Sequence, residues 1–399
     1  MSKKVAFIAL SMLLVLSGCL PGISNDDEEE GVGMEEEETD EEVEMEVSPE
    51  IPSLDHYYRS VLQDGEYVHG ETRGYHTDIV YNRVDLERLE VGLQEIASQQ
   101  FNQEDYFFRE GQFIQRGELN QWLLRYREPT SDDEGNPLGL NPPLGEGDSF
   151  EQRERSNPRV LSSILEHNYM IENDNGQLQI GGIVIGLSMN SVYYFRERFE
   201  DGRYGPTLEE NVPIETSLEE GQRIASIVLE RLRSQERENG ALENVPIIFA
   251  IYREMPRESL IPGHFLATAT APPGKEIGDW TTINERYYLF PSAEANEAQR
   301  EDSEIFNQFK NDINRFFENF VGVVGEGYYQ NDRLQKMKIS IPITFYSKTE
   351  VIALTQHVAD RVQQRFPEEV KIEVEVSSAK GQEALILKEP GRDPFVYVY

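Results

Sequence analysis

The chain has 399 residues, a single cysteine and a formal net charge of -37 at pH 7. With one cysteine it can form neither an internal disulfide nor a thiolate zinc site, so its stability must come from the burial of apolar side chains. We expect no nucleic-acid partner, because binding to a duplex draws its affinity from Lys and Arg side chains that neutralise phosphates.

The first 18 residues have the pattern of a secretory signal. Lys3 and Lys4 precede an apolar run at residues 5–16, and small residues follow it. The run of about 12 residues is shorter than the roughly 20 that a helix needs to cross a bilayer. We therefore predict a cleaved export signal at residues 1–18 and not a membrane span.

The cysteine stands directly after this signal. Leu16, Ser17 and Gly18 precede Cys19, which is the order of a bacterial lipobox, and a cysteine thiolate is the side chain that attacks a lipid donor most readily. Each buried methylene adds about 0.8 kcal/mol to membrane binding, so a diacylglyceryl group anchors a protein effectively permanently. We predict lipidation of Cys19 by a diacylglyceryl transferase, cleavage by signal peptidase II, and a location on the extracytoplasmic face of the cell membrane. An ordinary signal that ends near a free cysteine is the alternative.

An acidic segment follows the cysteine. About 15 acidic and no basic residues lie between positions 20 and 50. So few apolar residues cannot offset the entropy lost on ordering, and like charges extend a linker. We predict that residues 19–52 form the lipidated cysteine and a disordered acidic tether. A calcium-binding tail is the weaker alternative, because carboxylates on a flexible chain lose entropy with every ligand bond.

The remaining residues, 53–399, are more than one core usually covers, so two domains are expected. Residues 193–214 are predicted to form a hairpin, and Ser217-Leu218-Glu219-Glu220 then resembles a capping box that opens a helix. We therefore predict an N-terminal domain at residues 53–215 and a C-terminal domain at residues 216–399.

Helices and strands interleave in the predicted N-terminal domain. Apolar periodicity indicates a helix capped by Asp85, a second helix near residues 119–127, and a third after Asn157 with its stripe at residues 160, 161, 164 and 165. Strand-like segments are predicted at residues 106–114 and 178–195. The polar stretch at residues 128–148 is predicted to be a surface loop.

The predicted C-terminal domain repeats a helix followed by two strands. Alternating apolar residues and short connections favour mainly antiparallel sheets with helices packed on one face, which is an α+β fold. The predicted helices lie near residues 217–232, 305–320 and 347–366, and the predicted strands lie at residues 245–252, 265–271, 286–290, 321–329, 337–345, 370–376, 384–387 and 395–399.

No motif for catalysis or metal binding stands out. The six histidines never pair at the spacings typical of zinc ligands, so we expect neither a metal nor a cofactor. Residues 186–190 begin like a nucleophile elbow, but Asn190 replaces the second glycine, and Ser188 is therefore predicted to be a strand residue. The glycines at residues 322–327 lie between a helix and a strand, whereas phosphate loops precede a helix, so they are predicted to allow a bend or close packing.

Tyrosines occur in pairs at four places in the chain. On a strand, two consecutive side chains point to opposite faces of the sheet, so each pair is predicted to send one ring inward and one outward. The outward rings would be able to stack on sugars or peptides, with simple packing as the alternative. The pairs are Tyr57-Tyr58, Tyr193-Tyr194, Tyr287-Tyr288 and Tyr328-Tyr329.

Several dispersed segments of the chain have a pattern shared with a known family. They are Gly139-Leu140-Asn141-Pro142, Leu161-Ser162-Ser163-Ile164-Leu165-Glu166, Gly181-Gly182-Ile183-Val184-Ile185-Gly186-Leu187, Asn190-Ser191-Val192-Tyr193-Tyr194, Tyr288-Leu289-Phe290-Pro291-Ser292, Ile341-Pro342-Ile343 and Gly381-Gln382-Glu383-Ala384-Leu385-Ile386. Together they resemble the CamS family, the sex-pheromone lipoprotein precursors of Gram-positive bacteria. The resemblance runs in the same order from about residue 57 to residue 399.

This resemblance implies a lipid-anchored surface protein and a short apolar peptide, trimmed from the end of the signal, that acts as a mating pheromone for conjugative plasmids. It supplies no reaction, cofactor or catalytic residue for the large ectodomain. The matching stretch in this chain is Met12, Leu13, Leu14, Val15, Leu16, Ser17 and Gly18.

Three functions remain open for the ectodomain. The first is a non-enzymatic surface lipoprotein of the CamS type. The second is a module that binds a cell-wall fragment or peptide, in the first domain or in a cleft between domains. The third is an extracytoplasmic hydrolase, which requires converging carboxylates with shifted pKa values in a deep cleft.

Overall fold

The computed structural model describes residues 44–399 apart from residues 52–56, 78–80, 84, 200, 317–321 and 345–346. The predicted signal, the lipobox with Cys19, and the predicted tether as far as residue 43 therefore lie outside the described residues.

Part of the predicted tether is a strand. Strand β1 (Met45–Val47) pairs antiparallel with strand β2 (Val61–Gln63), and Met45 and Val47 pack against a small apolar cluster that includes Phe107. These two residues alternate with glutamates, which is the two-residue period of a half-buried strand. The prediction of disorder up to residue 52 is thus corrected, because local alternation outweighs the acidic composition of residues 44–47.

The first large sheet is built from six strands in the order β10-β9-β8-β5-β4-β3, and all neighbours are antiparallel except β5 and β8. The elements of this part of the chain are helices α1 (Leu86–Ala97), α2 (Arg116–Trp122), α3 (Phe150–Ser156) and α4 (Ile214–Leu232), and strands β3 (Phe107–Glu110), β4 (Leu161–Glu172), β5 (Leu178–Met189), β6 (Val192–Phe195), β7 (Leu208–Asn211), β8 (Ile247–Arg253), β9 (His264–Ala271) and β10 (Thr281–Thr282).

Helices cover both faces of the first sheet. Helices α2 and α4 pack on one face, and α1 packs on the other through Leu89, Leu93 and Ile96. Gly186 in β5 allows this close approach, because a Cβ atom there would lie 2.8 Å from Leu93 Cδ1. The first sheet is therefore the middle layer of three.

The predicted domain boundary near residue 216 does not coincide with the change of sheet. Strand β5 lies before it and β8 after it, yet these two strands are direct parallel neighbours. Parallel neighbours need a crossover connection, and α4 is that crossover. The helix that was predicted to open a new domain instead completes the first sheet, and the chain passes to the second sheet at residues 283–284.

The second large sheet has the order β11-β12-β13-β14-β15-β16, and all neighbours are antiparallel except β13 and β14. Helices α6 and α7 pack on one of its faces in a separate apolar core. The elements are helices α5 (Ala293–Ala298), α6 (Arg300–Phe316) and α7 (Lys348–Arg365), and strands β11 (Glu285–Phe290), β12 (Val324–Gln330), β13 (Arg333–Pro342), β14 (Lys371–Ser378), β15 (Gly381–Lys388) and β16 (Phe395–Val398).

The two sheets share one chain topology. Each begins with a strand, continues through two helices to an antiparallel strand pair, crosses over through a long helix to a parallel strand, and ends with two more antiparallel strands. The hairpin of β6 and β7, inserted before α4, is an addition of the first half. The predicted α+β class with mainly antiparallel sheets is confirmed, and the repetition extends over the whole folded part.

One predicted helix is a strand. The stretch after Asn157 forms β4, whose residues 161–170 are all buried, because this strand lies inside a sheet that is covered on both faces. Apolar side chains then need not alternate, and residues 160, 161, 164 and 165 imitate a helical stripe by chance.

The capping box predicted at residues 217–220 is wrong. Ser217 lies inside α4, where it is buried and its hydroxyl accepts a hydrogen bond from Arg253. Helix α4 begins earlier, at Ile214, directly after Pro213. In α7, by contrast, Ser347 is a cap, since its hydroxyl accepts a hydrogen bond from the backbone amide of Glu350.

No helix among the described residues is long and apolar enough to cross a membrane.

The topology predicts that residues 284–399 fold on their own. All six strands of the second sheet and both helices of its core lie in this stretch, so no strand of the sheet is missing. Expressed separately, this fragment should show cooperative urea unfolding and dispersed amide resonances. A fragment of residues 216–399 should contain an additional unfolded segment, because α4 and β8 lose their neighbour β5. If the amide resonances of the longer fragment were dispersed throughout, the assignment of α4 and β8 to the first sheet would be contradicted.

Candidate functional site

The structure does not place the site residues that the sequence predicts. Leu16, Ser17, Gly18, Cys19 and the peptide at residues 12–18 all lie outside the described residues. The lipobox therefore remains a sequence prediction, and a binding site has to be sought in the folded part of the chain.

A buried ion pair joins the two sheets. Arg88 of α1 donates from Nη2 to both carboxylate oxygens of Glu285, at 3.0 Å each, and their side chains are only 13% and 6% exposed. Glu285 also accepts hydrogen bonds from the Phe265 amide at 3.2 Å and the Tyr328 hydroxyl at 2.8 Å. One carboxylate therefore binds groups from the first sheet and from the second.

Aromatic rings surround this ion pair. The Arg88 guanidinium lies 5.3 Å from the ring centroids of both Phe265 and Tyr328 and 5.9 Å from that of Tyr287, which are cation–π distances. Gly92, one turn after Arg88, leaves room for Phe265, since a Cβ atom there would overlap that ring. The arginine is thus fixed by charge on one side and by rings on the others.

Three of the four tyrosine pairs are arranged as predicted. Tyr58, Tyr288 and Tyr329 are buried, while their partners Tyr57, Tyr287 and Tyr328 are more accessible. In the fourth pair, both Tyr193 and Tyr194 are buried. The outward rings of Tyr287 and Tyr328 lie 5.1 Å apart, so β11 and β12 bring two members of the predicted set together.

These two tyrosines line a cleft of about 720 Å³. One wall consists of α1 and the residues just before it. The other wall is the face of the second sheet that points away from α6 and α7, because its residues alternate with those of the buried core. The cleft therefore lies between the two halves of the fold; the first domain and a cleft between domains were the two places predicted for the site of a binding module.

Carboxylates and cations both line this cleft. Burial raises the pKa of the Glu326 carboxyl, and the positive charges of Arg83 and Lys338 partly offset the rise. Asp85 is already engaged, since it accepts hydrogen bonds from Arg83 Nε at 2.8 Å and from the Gly263 amide at 3.3 Å. The arrangement is suited to holding a small molecule that carries charges of both signs.

Two smaller cavities have volumes of about 290 and 360 Å³, and the second borders the cleft, since Pro262 and Tyr287 line both. In the first, the Glu154 carboxylate accepts hydrogen bonds from Arg125 and from the Tyr193 hydroxyl, so its polar groups bind one another. Within the described ranges, no group of three or more His, Cys, Asp and Glu side chains is placed to hold a metal ion. Ser188 lies buried in β5, as predicted for a strand residue.

The chain matches, over residues 67–394, the family described as CamS sex pheromone cAM373 precursor. This span contains every residue of the cleft. The chain belongs to the CamS family. The resemblance drawn from dispersed sequence segments is thereby confirmed.

Two solved CamS structures resemble this one. A sex pheromone precursor from Lactobacillus salivarius is 30% identical, with a TM-score of 0.75, over 89% of this chain and 99% of the other. The C-terminal domain of the sex pheromone staph-cAM373 precursor from Staphylococcus aureus is 28% identical, with a TM-score of 0.65, over 79% and 96%. No curated protein matches the chain. The fold of this CamS chain is therefore shared with proteins that are themselves described as pheromone precursors.

Replacement of Arg88 by Met should destabilise this CamS protein by about 3–5 kcal/mol, because Glu285 would remain buried without its cation. The measurement is the free energy of unfolding in urea. The double variant Arg88→Met with Glu285→Gln should recover part of the loss, since it removes both charges. Arg300→Met serves as the control, because the Arg300 side chain is 84% exposed in its pair with Glu304. If Arg88→Met and Arg300→Met lowered the free energy of unfolding equally, the packing of the two sheets would not depend on the Arg88–Glu285 ion pair.

Proposed function

We propose that this CamS protein is a lipid-anchored, non-enzymatic protein of the extracytoplasmic membrane face, and that its processed signal releases a short apolar pheromone. One observation carries the proposal. Cys19 follows Leu16-Ser17-Gly18 at the end of an apolar run, in a chain whose family is described as pheromone precursors. The same cut that exposes the cysteine for anchoring separates the apolar segment from the rest of the chain.

The proposed partners follow from this chemistry. A lipoprotein diacylglyceryl transferase joins the Cys19 sulfur to a lipid, and signal peptidase II then cleaves between Gly18 and Cys19. The two acyl chains hold the protein at the membrane, since a two-chain anchor is effectively permanent. The peptide at residues 12–18 is apolar and short, so it is able to leave the membrane after further trimming.

The folded part is able to stand clear of the membrane. About 25 residues separate Cys19 from β1, and a chain that rises about 3.3 Å per residue reaches on the order of 80 Å at full extension. The glutamates and aspartates of this segment repel one another and favour extended conformations.

A non-enzymatic role is supported by how two of the cleft carboxylates are used. Asp85 is held by Arg83 and Gly263, and Glu95 forms an ion pair with Arg88 at 2.9 Å. Neither of these two is free to exchange protons with a substrate, as a hydrolase requires of its carboxylate pair.

The anchoring part of the proposal predicts the behaviour of Cys19→Ala. Without the thiol no thioether forms, so the full chain should move from the membrane fraction to the soluble fraction, or remain as an uncleaved precursor. Fractionation with immunoblotting and intact-mass analysis would measure this. Ser24→Ala, close by in the same segment, should leave both the acyl mass and the membrane location unchanged. A Cys19→Ala protein that stays membrane-bound after cleavage would refute the anchor.

The pheromone part of the proposal predicts activity for the synthetic peptide Met-Leu-Leu-Val-Leu-Ser-Gly, residues 12–18 of the chain. Added to donor cells that carry a pheromone-responsive conjugative plasmid, it should raise the frequency of plasmid transfer. A scrambled peptide of equal composition is the control, because it has the same apolar character without the order of side chains. If both peptides gave the same frequency of plasmid transfer, the pheromone part of the proposal would be refuted and only the lipoprotein part would stand.

A further inference from the structure

The cleft between α1 and the second sheet has the size of a ligand site. Its volume of about 720 Å³ falls within the range of roughly 300–1,000 Å³ that is usual for small-molecule pockets. Its walls belong to a helix and a sheet that the Arg88–Glu285 ion pair holds together. The site is therefore preformed, so that a ligand need not order it on binding.

Two opposite charges lie side by side on the sheet wall. Glu326 of β12 and Lys338 of β13 are direct cross-strand partners, yet their side chains form no ion pair, and neither side chain has a hydrogen bond or ion pair with another of the described residues. The neighbouring Lys336, by contrast, forms an ion pair with Glu373 at 3.1 Å. A carboxylate and an ammonium group are thus both open to a ligand from the cleft.

Apolar side chains are exposed on both walls close to these charges. Val91 of α1 is 43% exposed, and Val324 of β12 is 44% exposed, and both line the cleft with Leu289. Covering such side chains with an aliphatic group contributes about 25 cal/mol for each Å² removed from water. The cleft is therefore suited to a ligand that has an apolar part between its charged ends.

Ligands with a single sign of charge fit less well. A simple anion would lie against Glu326 and Asp85 in a protein of net charge -37, and a simple cation would lie against Arg83 and Lys338. A neutral sugar would leave Glu326 and Lys338 desolvated without ionic partners. A zwitterion satisfies both groups at once.

We propose that this cleft binds short peptides of two or three residues with free ends. The peptide ammonium binds Glu326, the terminal carboxylate binds Lys338, and an aliphatic side chain packs between Val91 and Val324. Neighbouring strands lie about 4.8 Å apart, and the long, flexible side chains of Glu326 and Lys338 allow their charged ends to reach both ends of a peptide that spans about 7–10 Å. This binding activity goes beyond the proposed pheromone and anchoring roles.

The test measures calorimetric binding of the tripeptide Ala-Leu-Ala to the purified full chain. Acetyl-Ala-Leu-Ala-amide, which lacks both charged ends, should bind at least tenfold more weakly, because both charge-assisted contacts are lost. The dipeptide D-Ala-D-Ala is a third probe that separates two sources of short peptides. Tighter binding of D-Ala-D-Ala would support the proposal with a cell-wall ligand, and tighter binding of Ala-Leu-Ala would support it with a ligand from protein breakdown.

Two variants locate the binding in the cleft. Glu326→Gln and Lys338→Met should each weaken Ala-Leu-Ala binding about tenfold, since each removes one charged contact and keeps the side-chain length. Glu276→Gln and Lys275→Met, at exposed positions in the loop after β9, should leave the affinity unchanged, and all four variants should melt at the temperature of the parent chain. No binding at millimolar peptide, equal binding of the blocked peptide, or unchanged affinity in both cleft variants would overturn the proposal. The measurement does not depend on acylation of Cys19, so its failure would leave the anchoring proposal intact.

Discussion

The ion pair between Arg88 and Glu285 is the contact on which the arrangement of the two sheets depends. It is buried, and its carboxylate also accepts hydrogen bonds from Phe265 of the first sheet and Tyr328 of the second. Two charges removed from water are stable only where geometry and additional hydrogen bonds compensate for the lost hydration. Small displacements of one sheet against the other would break several of these bonds together, so the cleft beside the ion pair keeps a defined width.

The repeated topology explains why only one of the two sheets has an open face. Both halves carry a crossover helix on one face, α4 in the first and α7 in the second. Helix α1, which precedes the first repeat, covers the second face of the first sheet. The second sheet has no such helix of its own among the described residues, and α1 approaches its free face only far enough to leave the cleft. The candidate site thus arises where the first half has a helix, α1, that the second half lacks among the described residues.

Most elements of the second half could be predicted from the sequence, and the reasons are local. Helix α6 repeats Phe306, Phe309 and Ile313 along one face, and α7 has Ser347 as a true cap, so periodicity and capping agree with the tertiary structure. Strand β4 was predicted to be a helix, because burial on both faces removes the alternation of apolar and polar side chains that is typical of a strand. The capping box predicted at Ser217 is wrong because its hydroxyl accepts a hydrogen bond from Arg253 of β8, a distant residue that a four-residue motif does not include.

The candidate site could be predicted only in part. The tyrosine pairs indicated that one ring of each pair points outward, since a period of two suffices for that, but not that the outward rings are those of Tyr287 and Tyr328. Arg88, Glu285, Glu326 and Lys338 were not singled out, because 74 acidic and 37 basic residues offer no local signal for those that meet. Their proximity follows from strand register and from the packing of α1 between the sheets, and both depend on contacts between distant parts of the chain.

The two parallel strand pairs also set an order of assembly. Ile183 pairs with Ile247 in the first sheet, while Lys336 pairs with Lys371 in the second, so the second closure spans a much shorter stretch of chain. The entropic cost of closing a loop grows with the logarithm of its length. Pairing the parallel strands of the second sheet therefore costs about 0.5 kcal/mol less than pairing those of the first, if the internal pairing of the inserted β6 and β7 in the first is left aside. In a refolding chain the C-terminal half thus has the lower entropic barrier to nucleation. In a chain that crosses a membrane from its N-terminus, however, the first half emerges earlier, and one edge of β5 stays unpaired until α4 and β8 have followed.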